Sequence, residues 1–224
     1  MIFAAGFGTR MGALTRNRPK PLIPVAGQPL LDRALDLARN KVDRIAVNAH
    51  HCANQIAAHL HGSDVSVCIE TPEILDTGGG LKAALPTLGS GAVYTLNPDV
   101  VWTGPNPLQE LCVTWQAHRM QALLLLIPAD LAIGRQGGGD FSMDAHGRLT
   151  RGGDLVYSGA QITNTDVLAQ MPGKAFSLNR LWDRQIADGG LFGTLHRGGW
   201  CDVGYPEAIP LAEDMLAQDQ FAHD

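Results

Sequence analysis

A short apolar segment, Met1-Ile2-Phe3, runs directly into Ala4-Ala5-Gly6-Phe7-Gly8-Thr9-Arg10-Met11, and Pro19-Lys20-Pro21-Leu22 follows soon after. These residue types suit the binding of a phosphate. Gly6 and Gly8 admit backbone angles closed to other residues, and they let a bulky anion approach several main-chain N–H groups at once. Thr9 adds a hydroxyl donor, and Arg10 a planar, permanently charged fork that matches phosphate oxygens. Lys20 sits between two prolines that restrict the backbone on either side and aim one ammonium into the same space. A glycine-bearing loop after a strand is common in α/β proteins, and by itself it more often binds no phosphate. The spacing fits neither of two familiar templates, since GxGxxG needs glycine where Met11 stands and GxxxxGK[ST] is absent.

Other groups are spread along the chain. Asn97-Pro98-Asp99 follows a predicted strand over 93–96, and Trp200-Cys201-Asp202-Val203-Gly204 follows another over 191–195, so each carboxylate stands where a strand meets its exit loop. Two carboxylates facing bound phosphates are what magnesium requires, because it takes one or two protein oxygens and completes its octahedron with water and phosphate. Spacing alone does not bring the two together, and Asn-Pro-Asp is also an ordinary turn. Thr77-Gly78-Gly79-Gly80 precedes a predicted helix. Its glycines can lie against a flat base or ribose while Thr77 caps the helix, or the segment is simply a loop. Asp76 either hydrogen-bonds a ligand or faces water. His50-His51 and the His59, His61 pair have no ligand-spaced carboxylate or cysteine nearby in sequence and read as surface or satisfied groups. Neither GxSxG nor HExxH occurs.

The elements that must position these groups alternate. Helices are predicted over 30–37, 52–60, 80–85, 108–118, 178–187 and 207–217, and strands over 44–48, 65–69, 93–96, 122–127 and 191–195. Such alternation predicts a parallel sheet, with the apolar run 122–127 in its middle. The glycine-rich stretch from Gly134 to Gly159 breaks the pattern and reads as an antiparallel excursion. Ligands of open α/β sheets bind beyond the carboxyl ends of the strands, where the first glycine loop lies.

At 224 residues the chain is read as a single domain, 1–224. A net charge of -5 argues against nucleic-acid or membrane-surface partners. The four cysteines show no CxxC pairing, so reduced thiols are expected. The apolar run 122–127 is far short of the roughly 20 residues that span a bilayer, and a cytoplasmic location is expected.

AAGFGTRM together with PKPLIPVAGQPLLDRAL resembles the N-terminal signature of the sugar-1-phosphate nucleotidylyltransferases, and TGGG, NPD and WCDVG fall in that family's order. DTGGGLKAALPTLG, LNPDVVW, GGGDF, YSGAQI and GGWCDVGYPEA are most similar to the short bacterial members that act on N-acetylmuramate 1-phosphate. The resemblance implies a Rossmann-like α/β/α sandwich with a mostly parallel, mixed central sheet and a small antiparallel excursion. It also implies in-line attack by a sugar 1-phosphate oxygen on the α-phosphorus of a nucleoside triphosphate, with Mg2+ as cofactor and no covalent nucleophile. Carried onto this sequence, Ala4, Ala5, Gly6, Gly8, Thr9, Arg10, Lys20, Asp76, Gly78, Gly79 and Asn97 hold the nucleotide. Asp99 and Asp202 share magnesium, Arg10 and Lys20 complete the catalytic set, and Asp140, Gly159, Asn164 and Asn179 are candidates for the sugar.

UTP and N-acetylmuramic acid 1-phosphate are the expected partners. Guanylyl transfer to mannose 1-phosphate, uridylyl or thymidylyl transfer to glucose 1-phosphate, and a non-catalytic nucleotide-sugar sensor are the alternatives. Oligomeric state is left open. Three positions depart from the family pattern: Gly12, where many relatives carry a basic or larger residue, Pro98 in place of a small residue, and Tyr205 where threonine is frequent.

Overall fold

The computed structural model describes the backbone of residues 1–223 and the side chains of residues 1–219. Its first half comprises β1 (Ile2–Phe3), the ribbon of β2 (Pro24–Val25) and β3 (Gln28–Pro29), α1 (Leu30–Ala38), β4 (Ile45–Ala49), α2 (Ala53–His59), β5 (Val65–Ile69), α3 (Asp76–Leu88) and β6 (Ala92–Leu96). The second half contains β7 (Val100–Trp102), α4 (Pro107–Thr114), β8 (Ala122–Pro128), β9 (Phe141–Met143), β10 (Leu149–Arg151), β11 (Leu155–Asn164), α5 (Thr165–Ala169), α6 (Leu178–Ala187), β12 (Leu191–Leu195), β13 (Trp200–Asp202) and α7 (Ala208–His223).

β5, β4, β1 and β6 lie side by side and parallel. β11 then inserts antiparallel between β6 and β8, and β12 closes that edge parallel to β8. The sheet is therefore mixed but mostly parallel, with β9 and β10 as the antiparallel excursion expected between Gly134 and Gly159. The segment 155–157, read as part of that excursion, is instead the start of the ten-residue β11, which returns into the main sheet.

Strand β8 shows how the layers form. All of Ala122 to Ile127 is buried, and its side chains alternate between the two faces as a strand demands. Leu123 and Leu125 pack with Leu31 and Leu35 of α1, while Leu124 and Leu126 pack with Leu81 of α3 and Leu181 of α6. Helices thus cover both faces. α1 turns Leu31, Ala34, Leu35 and Ala38 to the sheet, the spacing of one helical face, while Leu30 packs with Val101 and Val203 beside the β7–β13 ribbon.

Two elements differ from the sequence reading in ways that matter for the site. The helix expected over 80–85 begins at Asp76, so the glycine triplet lies inside α3. Trp200–Asp202 is not an exit loop but a strand, paired antiparallel with β7 in a separate two-stranded ribbon. The helix expected over 108–118 ends earlier, at Thr114. No described helix is long and apolar enough to cross a membrane.

Candidate active site

The glycine loop leaves the carboxyl end of β1 and enters a kinked 3-10 segment, Thr9–Thr15. Met11, fully buried beside Ile23, Val25, Val101 and Val203, anchors that segment to the β7–β13 ribbon. Gly8 is left-handed at φ 63°, and a Cβ there would stand 2.9 Å from that of Lys20, so glycine is needed for both conformation and space. A Cβ on Gly6 would meet nothing, which leaves its main chain open to a ligand. Gly12, one of the family departures, sits at the kink with φ 58° and ψ −122°. Its identity is thus set by the backbone, since residues with a Cβ rarely adopt such angles.

Lys20 is almost buried, and its Nζ donates to Asp99 Oδ2 at 2.6 Å. Asp99 immediately precedes β7, and the ribbon register places Asp202 opposite Val100, with the Val203 N–H donating to the Asp99 carbonyl. The two carboxylates named from sequence are therefore neighbours, brought together by a strand pairing across the length of the chain. Burial and the nearby Asp99 charge push the Asp202 carboxyl up from the ordinary carboxylate range, while Lys20, Arg10 and Arg135 pull it the other way. A half-buried carboxylate pair beside a phosphate-binding loop is a candidate cation site. Among the described residues no three His, Cys, Asp or Glu converge as a metal cage. Magnesium fits this arrangement, because it needs only one or two carboxylates when substrate phosphates complete its shell.

Asp99 lines three neighbouring hollows, and Asp202 lines one of them. One, of about 210 Å³, is lined by Ala4, Gly6, Gly8, Thr9, Arg10, Lys20 and Asp99. A second, about 240 Å³, lies between the glycine loop and the start of α3 and contains Ala5, Gly6, Asp76, Thr77 and Asn97. The third, about 330 Å³, extends from Asp99 and Asp202 past Asn97, Gly159 and Asp140 to Asn179 and Trp182. Gly159 lies against the Asn97 side chain at φ 88°, and its carbonyl accepts from the Asn97 N–H. Asp140 takes Arg135 Nη2 on one oxygen at 2.8 Å and the Tyr157 N–H on the other at 2.9 Å.

Three of the residues named from sequence fall elsewhere. Gly78 and Gly79 line none of the three hollows. A Cβ on Gly78 would strike the Phe176 ring at 2.5 Å, one on Gly79 would overlap the Lys174 carbonyl, and the Gly79 N–H donates to the Phe176 carbonyl. Their lack of side chains lets the 174–176 segment press onto α3, and that packing offsets the roughly 1 kcal/mol that each helical glycine costs. Thr77 does not cap α3 either, since its hydroxyl accepts from the Leu178 N–H. Asn164 ends β11, which runs antiparallel and so delivers it beside Ala92, at the amino end of β6. There its side chain caps α5.

The sequence reading missed a buried polar chain beneath the site. The Ala4 N–H donates to Asn48 Oδ1 at 2.8 Å, Asn48 Nδ2 donates to Glu70 Oε1 at 2.7 Å, and the Leu75 N–H donates to Glu70 Oε2 at 2.7 Å. Asn48 and Glu70 are 3% and 4% exposed. A Cβ on Gly80 would intrude on both. The available signal was a polar residue near or just past the end of an apolar strand, Asn48 in β4 and Glu70 after β5. Arg135 and Arg151, also missed, line the third hollow. His50, His51 and His59 are satisfied: His50 Nδ1 lies 2.9 Å from the Glu70 carbonyl, His51 Nε2 2.9 Å from that of Thr15 and His59 Nε2 2.7 Å from Asp32.

A glycine loop at the end of the first strand, an adjacent lysine and a carboxylate pair beside neighbouring hollows are the parts a nucleotidyltransferase site needs. Residues 1–130 match the MobA-like NTP transferase domain, and the chain belongs to that family, as an enzyme of the sugar-1-phosphate nucleotidyltransferase class. It is 36% identical to the N-acetylmuramate alpha-1-phosphate uridylyltransferase of Caulobacter vibrioides, over 97% of this chain and 96% of that one. The protein of the same description from Neisseria meningitidis serogroup B is 29% identical, over 91% and 92%. In fold, the chain is similar to a putative glucose-1-phosphate thymidylyltransferase from Bacillus anthracis, with a TM-score of 0.78, 16% identity and coverage of 97% and 94%.

Proposed function

We propose that the chain transfers a uridylyl group from UTP to N-acetylmuramic acid 1-phosphate, giving the nucleotide-sugar and pyrophosphate. The observation that supports nucleotidyl transfer is Asp99, which lines all three hollows, beside Asp202 in the third and with Lys20 bonded to it. The choice of UTP and of the sugar acid draws on the 36% identical relative.

In this reading Gly6, Gly8 and Thr9 present main-chain N–H groups and a hydroxyl to the triphosphate, and Arg10 and Lys20 neutralise its charge. Ala4, Ala5, Asp76 and Asn97 border the nucleoside, while Asp140, Gly159 and Asn179 border the sugar. A phosphate oxygen of the sugar 1-phosphate attacks the α-phosphorus, a new P–O bond forms, and the bond to pyrophosphate breaks with its electron pair leaving on pyrophosphate. Magnesium held by Asp99 and Asp202 supplies charge neutralisation and alignment when bound. The chain's own part is positioning and electrostatic stabilisation, which need no covalent intermediate.

A competition assay with UTP, GTP, CTP and dTTP against N-acetylmuramic acid, N-acetylglucosamine, mannose and glucose 1-phosphates tests the specificity. Preferred use of UTP with the sugar acid is expected. Preference for another pair keeps the chemistry and replaces the substrate. Tight nucleotide-sugar binding with no turnover of any pair converts the enzyme into a sensor.

A further inference from the structure

The third hollow is lined by a cation, Arg151, that the reading above assigns neither to the phosphates nor to the metal. Of its three arginines, Arg10 and Arg135 lie close enough to Asp202 to act on its charge, and Arg151 is not among that group's charge partners. Arg151 closes β10 at the far end, beside α6. Its guanidinium is fixed in place: it lies 4.9 Å over the Phe141 ring and 5.6 Å over that of Trp182, with Nε and Nη2 each 2.8 Å from Asp183 Oδ1 and Nη2 also on the Asn179 carbonyl at 3.0 Å. Nη1 has no hydrogen-bond partner among the described residues. Arg151 and Asp183 are 36% and 60% exposed, so their ion pair is open to water and weak, and the guanidinium remains free to take a second anion on its unpaired edge.

A neutral hexose needs only hydrogen-bond donors and acceptors, and Asn97, Asp140, Ser177 and Asn179 already supply them along this wall. A planar cation clamped between two rings and two hydrogen bonds offers something more specific. It is a preorganised partner for a carboxylate, with little side-chain freedom left to lose on binding. We propose that Arg151 reads a carboxylate carried on the sugar ring and so selects an acidic sugar 1-phosphate over its neutral counterparts. This rests on the assignment of the third hollow to the sugar made above.

The test perturbs both partners. Turnover with UTP is measured for N-acetylmuramic acid 1-phosphate and for its carboxamide, which keeps size and removes charge, using the wild type, Arg151→Met and Arg151→Lys. The wild type is expected to favour the acid in kcat/KM by about 10- to 100-fold, the scale of a charge-assisted hydrogen bond. Arg151→Met, which retains an unbranched apolar stem over Phe141 and Trp182, should bring that ratio to about one, and Arg151→Lys should leave an intermediate value. A purely structural role would lower both rates together and leave the ratio unchanged, overturning the proposal. A wild type that takes acid and amide equally also overturns it while leaving the uridylyl reading intact, and needs no variant to fold. A wild type that uses neither, or only neutral sugars, removes both.

Discussion

The buried chain from Ala4 to Leu75 makes a prediction that depends only on counting protons. Two main-chain N–H donors, Ala4 and Leu75, point inward at its ends, and two side chains, Asn48 and Glu70, bridge them. One amide and one carboxylate satisfy every position. Glu70→Gln conserves shape but supplies one donor too many, and no rotation of either amide removes the conflict, because it only moves from one N–H to the next. Leaving one buried donor facing another costs about 2–3 kcal/mol, or roughly 5–10 °C in Tm for a chain of this size. Asn48→Asp errs in the opposite direction by placing two carboxylates in contact. Such a pair shares a proton, so its folded pKa lies above its unfolded value. Its stability is accordingly present at low pH and lost as pH rises, so this variant should approach the wild type near about pH 5 and fall away above it.

The double variant Asn48→Asp, Glu70→Gln restores one carboxylate and one amide with their places exchanged. It should recover to within about 1 kcal/mol of the wild type, giving a coupling energy of about 3 kcal/mol. Urea or thermal unfolding of the four proteins measures this, and the KM for nucleotide should follow the same order, since the chain ties the glycine loop to the loop before α3. Additive losses in the double variant would refute the reasoning.

Further outcomes follow from the same geometry. Asp99→Asn and Asp202→Asn should each reduce metal-dependent kcat by roughly 100-fold or more, the several kcal/mol a metal contributes to the transition state, with circular dichroism unchanged. The raised Asp202 pKa has its own consequence: metal-free protein gains stability as pH falls through that pKa and loses it as pH rises, whereas magnesium affinity moves the other way. A melting series across pH with and without magnesium checks both signs. Gly78→Ala should lower stability by about 1–3 kcal/mol through its collision with Phe176. Gly6→Ala, with open space around it, should leave Tm within about 1 °C and raise the KM for the triphosphate.

Much of this site can be read in local sequence because its parts are local. Gly6, Gly8, Thr9 and Arg10 lie within five consecutive residues, and Lys20 is confined by its own prolines. The Asp99–Asp202 contact is of another kind. It depends on the pairing of β7 with β13, which no spacing encodes and which only the family resemblance suggested. The glycine triplet misled because glycine is read as a loop former, while the reasons for it lie far off in sequence: Phe176 and Lys174 for Gly78 and Gly79, Asn48 and Glu70 for Gly80. Asn164 misled through strand direction: one antiparallel strand in a parallel sheet carries its last residue to the wrong edge. Asn48 and Glu70 carry the weakest local signal of all, since each is a single polar residue at the end of an apolar strand and their meaning arises only from each other.

The most direct test of the central claim is pyrophosphate release by purified protein from UTP and N-acetylmuramic acid 1-phosphate, with and without a chelator, for the wild type, Asp99→Asn and Asp202→Asn. Release by the wild type that stops on chelation, resumes with added magnesium and is absent in both variants is the predicted result. Release that survives the chelator, or that persists at near-normal rates in both variants, would contradict the account.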